Sequence, residues 1–431
     1  MSFLNSNYDY DIIIIGGGIS GLFTAYKLSK TNKSIILLES SNRLGGRINT
    51  IKKNKDISYE AGAARFHKSH GKLLALINEL ELQNDIIDLP KDITHILRNK
   101  HQKYEYNTEN ILDLNSLLDQ AINYKDKIPN EKLKIISFFQ YLTMLFDNET
   151  ALFIKDSFGY DSEILHLNAY AALYYHSQDL FKDNNYSILK NGLSQLITKL
   201  YQKLKEKENV IIKKNTEIKN IQDKNIITTK DEKFNFNKLI LTIPHNKLKQ
   251  IEYFKNIIPF KAVKPIRLLR IYAKYPINNL WFQDIKRTTT DNILRHIIPI
   301  NKKKGLILIS YTDDIYAEMW NNNYKINESF LIKSIHQQIY NIFGIKPPNP
   351  EFISVHYWEN GIHIWKPSND TDKLYKSTLK PIQDKEIYIV GDTFSKKQGW
   401  IEGSLETCYD VIKLLSFDGY KTISSKSTVN Y

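Results

Sequence analysis

The chain has 431 residues, 42% hydrophobic and 25% charged, with a formal net charge of +13. That length exceeds the size at which one hydrophobic core usually stops growing, so two or three domains are expected, and the composition excludes a disordered chain or a membrane bundle. Lys and Arg are scattered among Asn, Ile and Tyr without a long single-sign block or an aromatic-basic repeat, which argues for solvated faces rather than dedicated nucleic-acid binding.

The N-terminal stretch MSFLNSNYDYDIIIIGGG holds only a four-isoleucine apolar run, too short for a signal-peptide core. No apolar run anywhere reaches 18 residues, so we expect a soluble, cytoplasmic protein without a membrane anchor. Ile12 to Ile15 are continuous and β-branched, as expected for a parallel strand buried on both faces. A helix follows. Gly16, Gly18 and Gly21 have the G-x-G-x-x-G spacing: a tight turn, room for a pyrophosphate against bare backbone, and close helix–strand contact. The helix N-terminus then faces the phosphates with free N–H groups and a partial positive charge. SIILLE predicts a second strand ending in Glu39, where a carboxylate can accept hydrogen bonds from a ribose. Strand, turn, helix and terminal acid are in register for a dinucleotide site.

SSNRLGGRINT comes next, with Gly45 and Gly46 between Arg43 and Arg47, suited to a second close approach to the pyrophosphate with guanidinium help. This R-x-G-G-R after the acid resembles the flavin-containing amine oxidase superfamily, and the resemblance implies FAD. In YEAGAARFHKSH, Gly62, Ala63, Ala64 and Arg65 match a G-A-x-R pattern. The segment is similar to that of the L-amino-acid oxidase and tryptophan monooxygenase branch, where it runs past the flavin into the active site. By that resemblance Ala64 lies beside the cofactor and Arg65 pairs bidentately with a substrate carboxylate, setting the Cα–H over the flavin N5. A guanidinium held by protein or by a flavin phosphate is the alternative.

Asn107 to Phe181 carries long helical patterns such as LKIISFFQYLTMLF and predicts a helical cap. NYSILKNGLSQLITKLYQKL is similar to the superfamily's helix leading back into the flavin domain, and NVIIKKNTEIKNI to the strand whose backbone, near Ile218, contacts the adenine. FNKLILTIPHNKL predicts a buried strand closed by Pro244, and Ile266 to Tyr275, Leu306 to Tyr311 and Phe352 to Tyr357 predict a sheet roofing the flavin. Many family members place in the first of these a lysine that holds a water near N5 and aids reaction with oxygen. Here RLLRIYAKYPINNLWF offers Arg270, or Lys274 if the alignment slips, which leaves open a slow oxidase or a dehydrogenase. VHYWENGIHIWKPS is similar to the pocket strand and loop, with Trp358 and Trp365 as pocket walls. His363 is a wall or proton acceptor at the flavin, or else a structural histidine. Ile362 stands where covalent monoamine oxidases carry a flavin-linking cysteine.

KEIYIVGDTFSKKQGWIEGSLETCYDVIKLL reads as a strand from Ile387, a turn with Gly391 and Asp392, and a helix from about Ile401. It resembles the superfamily's C-terminal signature. That resemblance places Asp392 at the ribityl or pyrophosphate region and the backbone near Ile401 at the pyrimidine edge, where a helix N-terminus stabilises negative charge on the reduced ring. Trp400 becomes a wall beside the ring, with a core aromatic as the alternative. Cys408, the single cysteine, lies within that helix, so neither a disulfide framework nor a covalent flavin is expected. The eleven histidines lack ligand spacing, and no metal site is expected.

The expected fold is α/β: a Rossmann-like FAD-binding domain of the GR2 type with an α+β substrate domain. The first is assembled from residues 1–66, 186–255 and 380–417. The second comprises 67–185 and 256–379 with the helical cap at about 107–181, and 418–431 form a tail. The resemblance implies oxidation of the C–N bond of an amine, foremost an L-amino acid, by hydride transfer to noncovalent FAD. The products are an imine, then a keto acid, ammonia and hydrogen peroxide. The partners are the amine or amino acid and oxygen or another electron acceptor; a homodimer is left open. A monoamine or polyamine oxidase is the alternative and predicts an acid facing the pocket, such as Glu359 or Glu402. A protoporphyrinogen-oxidase-like or desaturase activity and an inactive flavin-binding scaffold complete the set.

Overall fold

The computed structural model describes residues 7–54, 57–99, 102–105 and 113–415. Asn7–Ile15 lies inside a seven-stranded sheet, parallel to Ile35–Leu38 on one side and to Lys233–Leu241 on the other. Val210–Lys213 extends the sheet beyond Ile35–Leu38, and Ile387–Ile389 beyond Lys233–Leu241, both in parallel. The other half of Lys233–Leu241 carries the antiparallel strands Asn225–Thr228 and Ile218–Ile221. Both faces of the centre are covered, which is why these strands are continuously apolar rather than alternating. Ile12 and Ile14 join a core with Phe23, Leu200 and Leu405 of the helices Ile19–Leu28, Ser194–Lys205 and Ile401–Leu414. Ile13 and Ile15 belong to a second core with Leu248, Phe254 and Phe394.

A second seven-stranded sheet runs in the order Phe352–Trp365, Val263–Lys274, Leu306–Asp313, His296–Asn301, Thr288–Thr290, Thr94–Asn99 and Gln102–Glu105. Asp314–Ile326 and Glu328–Phe343 cover one face, where Trp320, Ile335 and Ile339 meet Ile271, Ile307 and Ile309. The three strands expected here are neighbours. The last is longer than expected, because VHYWENGIHIW does not turn into a loop but continues the strand through a bulge. Trp358 opposes Leu268 and Ile362 opposes Ile266, so Glu359, Asn360 and Gly361 face Arg267 alone. Gly361 is required there, since a Cβ would lie 2.5 Å from Leu268 Cγ.

Residues 114–175 form six helices, from Leu114–Tyr124 to Ala169–Tyr175. LKIISFFQYLTMLF, expected as one helical pattern, is broken into Asn130–Ile135 and Phe138–Leu145. Ser137 causes the break: its hydroxyl accepts from the Gln140 N–H at 3.2 Å while the Gln140 side chain accepts from the Ser137 N–H at 2.8 Å. This capping box starts a new helix at the point where the apolar period alone would continue the old one. The start of the expected cap, residues 107–112, and the expected tail, 418–431, lie outside the described residues. Among the described residues no helix is long and apolar enough to cross a membrane.

Candidate active site

A cleft of about 610 Å3 opens where the C-terminal ends of the parallel strands meet the second sheet. Gly16, at φ +109°, turns the chain out of the first strand, and a Cβ there would lie 2.4 Å from Thr242 Oγ1. Gly18 has open space where its Cβ would stand, and Gly46 faces it, its own Cβ position 3.5 Å from the Gly18 Cα. The two bare backbones make a cradle that side chains would fill. Gly21 does not reach the cleft; a Cβ there would sit 1.9 Å from the Gly16 carbonyl oxygen, so it closes the helix against the turn. The helix Ile19–Leu28 starts at this cradle without a side-chain cap, leaving its first N–H groups for a ligand.

Glu39 ends the second strand at the cleft wall. Its carboxylate accepts from the Gly17 N–H at 2.7 Å and from the Ser41 N–H at 2.8 Å. Arg43 holds its own loop, donating to the Gly46 carbonyl at 2.6 Å. Arg47 does not project freely toward phosphates: it forms a two-point ion pair with Asp392, one contact at 2.8 Å, and donates to the bulged Gly361 carbonyl at 3.1 Å. Asp392 is only 3% exposed; burial would raise its pKa, but Arg47 and the Nδ1 of His363, 3.3 Å away, hold it far below the usual carboxylate range. Ile218 lines the far end of the cleft. The glycine cradle, the uncapped helix start and the acid at the second strand's end fit a dinucleotide flavin such as FAD.

At its other end the cleft adjoins a cavity of about 100 Å3, and Arg270, Tyr311, Ile362, Trp400 and Ile401 line both. Trp400 caps the helix Ile401–Leu414 in extended conformation, its ring edge-on to His70 at 4.9 Å and stacked on Tyr186 at 5.9 Å. Ala64 and Arg65 line the second cavity. Phe66–His67 pairs with Tyr186–Leu189, which brings the Arg65 guanidinium 4.2 Å from the Tyr186 ring centre, and its Nη2 donates to the Tyr160 hydroxyl at 3.4 Å. Among the described residues no carboxylate lies within ion-pair distance of Arg65. Burial opposes its charge, yet the phenol oxygens of Tyr160, Tyr186 and Tyr311 keep its pKa above the ordinary value. Arg270, 7% exposed, donates to the Glu60 carbonyl at 3.0 Å and lies 4.3 Å from the Tyr311 ring centre. Lys274 is four residues on, about 13 Å along a strand, and is ion-paired with Glu351, so Arg270 is the one that reaches the cavity.

The structure places Gly16, Gly18, Gly46, Glu39, Arg43, Arg47, Ile218 and Asp392 on the cleft and Ala64, Arg65, Arg270, Trp400 and Ile401 on the second cavity, but gives other surroundings to the residues that follow. His363 is fully buried, lines none of these cavities and buttresses Asp392. Trp358 lines the cofactor cleft rather than the second cavity, its Nε1 donating to the Ala61 carbonyl at 2.7 Å. Trp365 is a core residue bonded to the Ser395 carbonyl at 2.9 Å. Glu402 caps the helix Gly71–Glu79, accepting from Lys72 and Leu73 N–H at 3.0 and 2.9 Å. Glu359 is exposed at the cleft rim. The acid that does line the second cavity is Glu163, 9% exposed, with Oε2 lacking a hydrogen-bond partner; burial and nearby Asp313 push its pKa well above the usual range. Tyr160, Glu163 and Tyr311 carry no motif, and sequence reasoning passed over them. Cys408 is buried away from the cleft, its Sγ directed at the Ser20 carbonyl.

Residues 19–410 match the family of flavin containing amine oxidoreductases. An uncharacterized protein of Acanthamoeba polyphaga mimivirus is 24% identical across 94% of this chain and 93% of its own. Flavin-containing amine oxidase B of Rattus norvegicus is 28% identical over 31% of this chain and only 28% of its own length. Achacin of Lissachatina fulica is 39% identical over 17% of this chain and 14% of its own. A solved wild-type putrescine oxidase bound to putrescine shares the fold at 15% identity and a TM-score of 0.71, covering 95% of this chain and all of that one. With the family match spanning nearly the whole chain and a cleft shaped for its cofactor, this protein belongs to the flavin-containing amine oxidoreductases and is an FAD-dependent oxidoreductase.

Proposed function

We propose that the chain oxidises the Cα–N bond of an L-amino acid to an imine, which water converts to a keto acid and ammonia while oxygen or another acceptor takes the electrons. Arg65 carries this reading: a guanidinium on the cavity beside the cofactor cleft, with no carboxylate partner among the described residues. Its planar fork suits a bidentate carboxylate, and Tyr186 and Tyr160 hold it in place. Glu163, on the same cavity, offers an unpartnered oxygen that accepts a hydrogen bond from the substrate's amino group, so one cavity presents a cation for the carboxylate and an acceptor for the amine. FAD, when bound, supplies the two-electron acceptor. Trp400, Leu268 and Ile362 contribute apolar surface that keeps water from the reacting end.

We hold the FAD to be noncovalent, with Ile362 on the cleft wall and Cys408 buried away from it. The flavin unit then comprises residues 1–66, 186–255 and 380–417. A diamine or polyamine is the second reading, favoured by the same Glu163, whose unpartnered oxygen accepts from an amino group without requiring Arg65. Anaerobic bleaching of the flavin absorbance by a panel of L-amino acids, amines and polyamines separates them. We expect bleaching by a group of amino acids, with Arg65→Ala weakening their affinity about 10- to 100-fold, the worth of a charge-assisted pair. Bleaching by amines alone, or amino-acid affinity unaltered in Arg65→Ala, overturns the proposal.

A further inference from the structure

A third cavity, of about 80 Å3, lies beyond the second and shares with it Arg65, Tyr160 and Leu180. Its walls are rich in donors that the protein does not use. Arg287 immediately precedes the strand Thr288–Thr290; its carbonyl accepts from the Thr94 N–H at 2.9 Å, but its side-chain Nε has no partner. His95 Nδ1 and the hydroxyl of Ser157, 1% exposed, are also unpartnered. His296, 2% exposed, lies against Thr289, with 3.2 Å between Nδ1 and the Thr289 hydroxyl, and its Nε2 has no partner. If the hydroxyl donates to Nδ1, the imidazole proton sits on Nε2, which makes that nitrogen a donor on the cavity wall.

The acids on this wall are already engaged. Asp183 meets His67 at 2.9 Å and accepts from the Asn185 N–H at 2.8 Å, and Asp113 accepts from the Ser116 N–H at 2.9 Å. Among the described residues neither Arg65 nor Arg287 has a carboxylate within ion-pair distance, and each lies in the other's field. Burial and Arg65 push the Arg287 pKa down to about 10. Burial and the neighbouring arginines likewise lower those of His95 and His296, so both imidazoles favour the neutral form. Two half-buried guanidinium groups without a counter-ion are unfavourable, and an anion between them relieves both the repulsion and the unmet donors.

We propose that Arg287, His296 and Ser157 form a second anion subsite, which takes a carboxylate at the far end of the substrate, so that the preferred amino acids are dicarboxylic: aspartate or glutamate. The inference rests on Arg65 binding the α-carboxylate. Arg65 stands between the two cavities, so a side chain leaving Cα beside it passes Tyr160 and Leu180 and delivers its terminal carboxylate to Arg287.

The test is anaerobic flavin bleaching of the holoenzyme and of its Arg287→Met, Arg287→Lys and Arg65→Ala variants by L-glutamate, L-aspartate, L-leucine, L-lysine and putrescine. We expect a dicarboxylic amino acid to bleach at the lowest concentration. Arg287→Met lowers the preference for it over L-leucine by at least about tenfold, and Arg287→Lys recovers part of that preference. Arg65→Ala weakens glutamate and leucine alike. Equal bleaching by leucine and glutamate, with a preference unmoved in Arg287→Met, overturns the second subsite and leaves the Arg65 reading standing. A preference for L-lysine also overturns it, in favour of Glu163 as the side-chain partner. Bleaching by putrescine alone overturns both readings together.

Discussion

Gly16, Gly18 and Gly21 belong to one motif but answer to three different constraints. Gly16 needs a positive φ, Gly21 needs contact with the Gly16 carbonyl, and Gly18 has an ordinary φ of −74° with nothing within 4 Å of its Cβ position. Only at Gly18 does a side chain enter the ligand's space without disturbing the protein. Gly18→Val is therefore expected to match the flavin-free parent in stability within about 0.5 kcal/mol, since its Cβ meets no protein atom, while the purified protein loses its flavin. The ratio of flavin to protein absorbance, together with a urea melt, reads both effects. A yellow Gly18→Val protein would mean that the phosphates do not rest on this backbone. The charged residues behave differently. Arg47 and Asp392 neutralise one another, and His363 supports Asp392, although each looks free when read along the chain.

At the scale of elements, the helix Gly71–Glu79 receives its N-terminal cap from a residue far away in sequence. His70 provides no side-chain cap, and the carboxylate of Glu402, at the start of the helix Ile401–Leu414, takes the Lys72 and Leu73 N–H groups instead. One side chain thus ties together the two elements that flank Trp400. Glu402→Ala is expected to cost about 1–3 kcal/mol, the range for leaving buried donors unsatisfied, read as a lower urea midpoint at unchanged slope. A midpoint equal to that of the parent would show that water caps the helix equally well. Elements covered on both faces, such as Ile12 to Ile15 and Ile35–Leu38, were legible as unbroken apolar runs. The division of LKIISFFQYLTMLF was not, because it depends on a reciprocal Ser137–Gln140 cap that interrupts an otherwise continuous helical pattern. Likewise the strand Phe352–Trp365 outlasts Glu359-Asn360-Gly361 because the partner strand tolerates a bulge.

For the molecule as a whole, Asp313 joins the second sheet to the helical region, accepting from the Ser162 N–H at 2.7 Å and the Asp161 N–H at 3.3 Å. Burial, reinforced by Asp161, pushes its pKa up from 3.8 to about 6. The folded protein thus holds a proton that the unfolded chain releases. The stability it contributes is complete below pH 3.8 and is lost as the pH rises through about 6. Asp313→Asn does not titrate, so the stability of the parent relative to this variant should fall between pH 4 and 6 and then level off. Denaturant midpoints across pH 4–8 measure the difference; a difference that stays constant would show that Asp313 titrates as an ordinary carboxylate.

By itself the sequence determined the strand–glycine–helix unit and the acid at the end of the second strand, while the flavin and the family rested on the resemblance of its motifs. Those features are local: each is set by spacing within a few tens of residues, where backbone geometry leaves few alternatives. Only the tertiary structure decided which charges are satisfied and which remain for a ligand. Glu402 is taken by a helix start and Arg47 by Asp392, while Arg65, Arg287 and Glu163 are left facing cavities. Such pairings join residues that can lie hundreds of positions apart, and packing, not spacing, chooses among them.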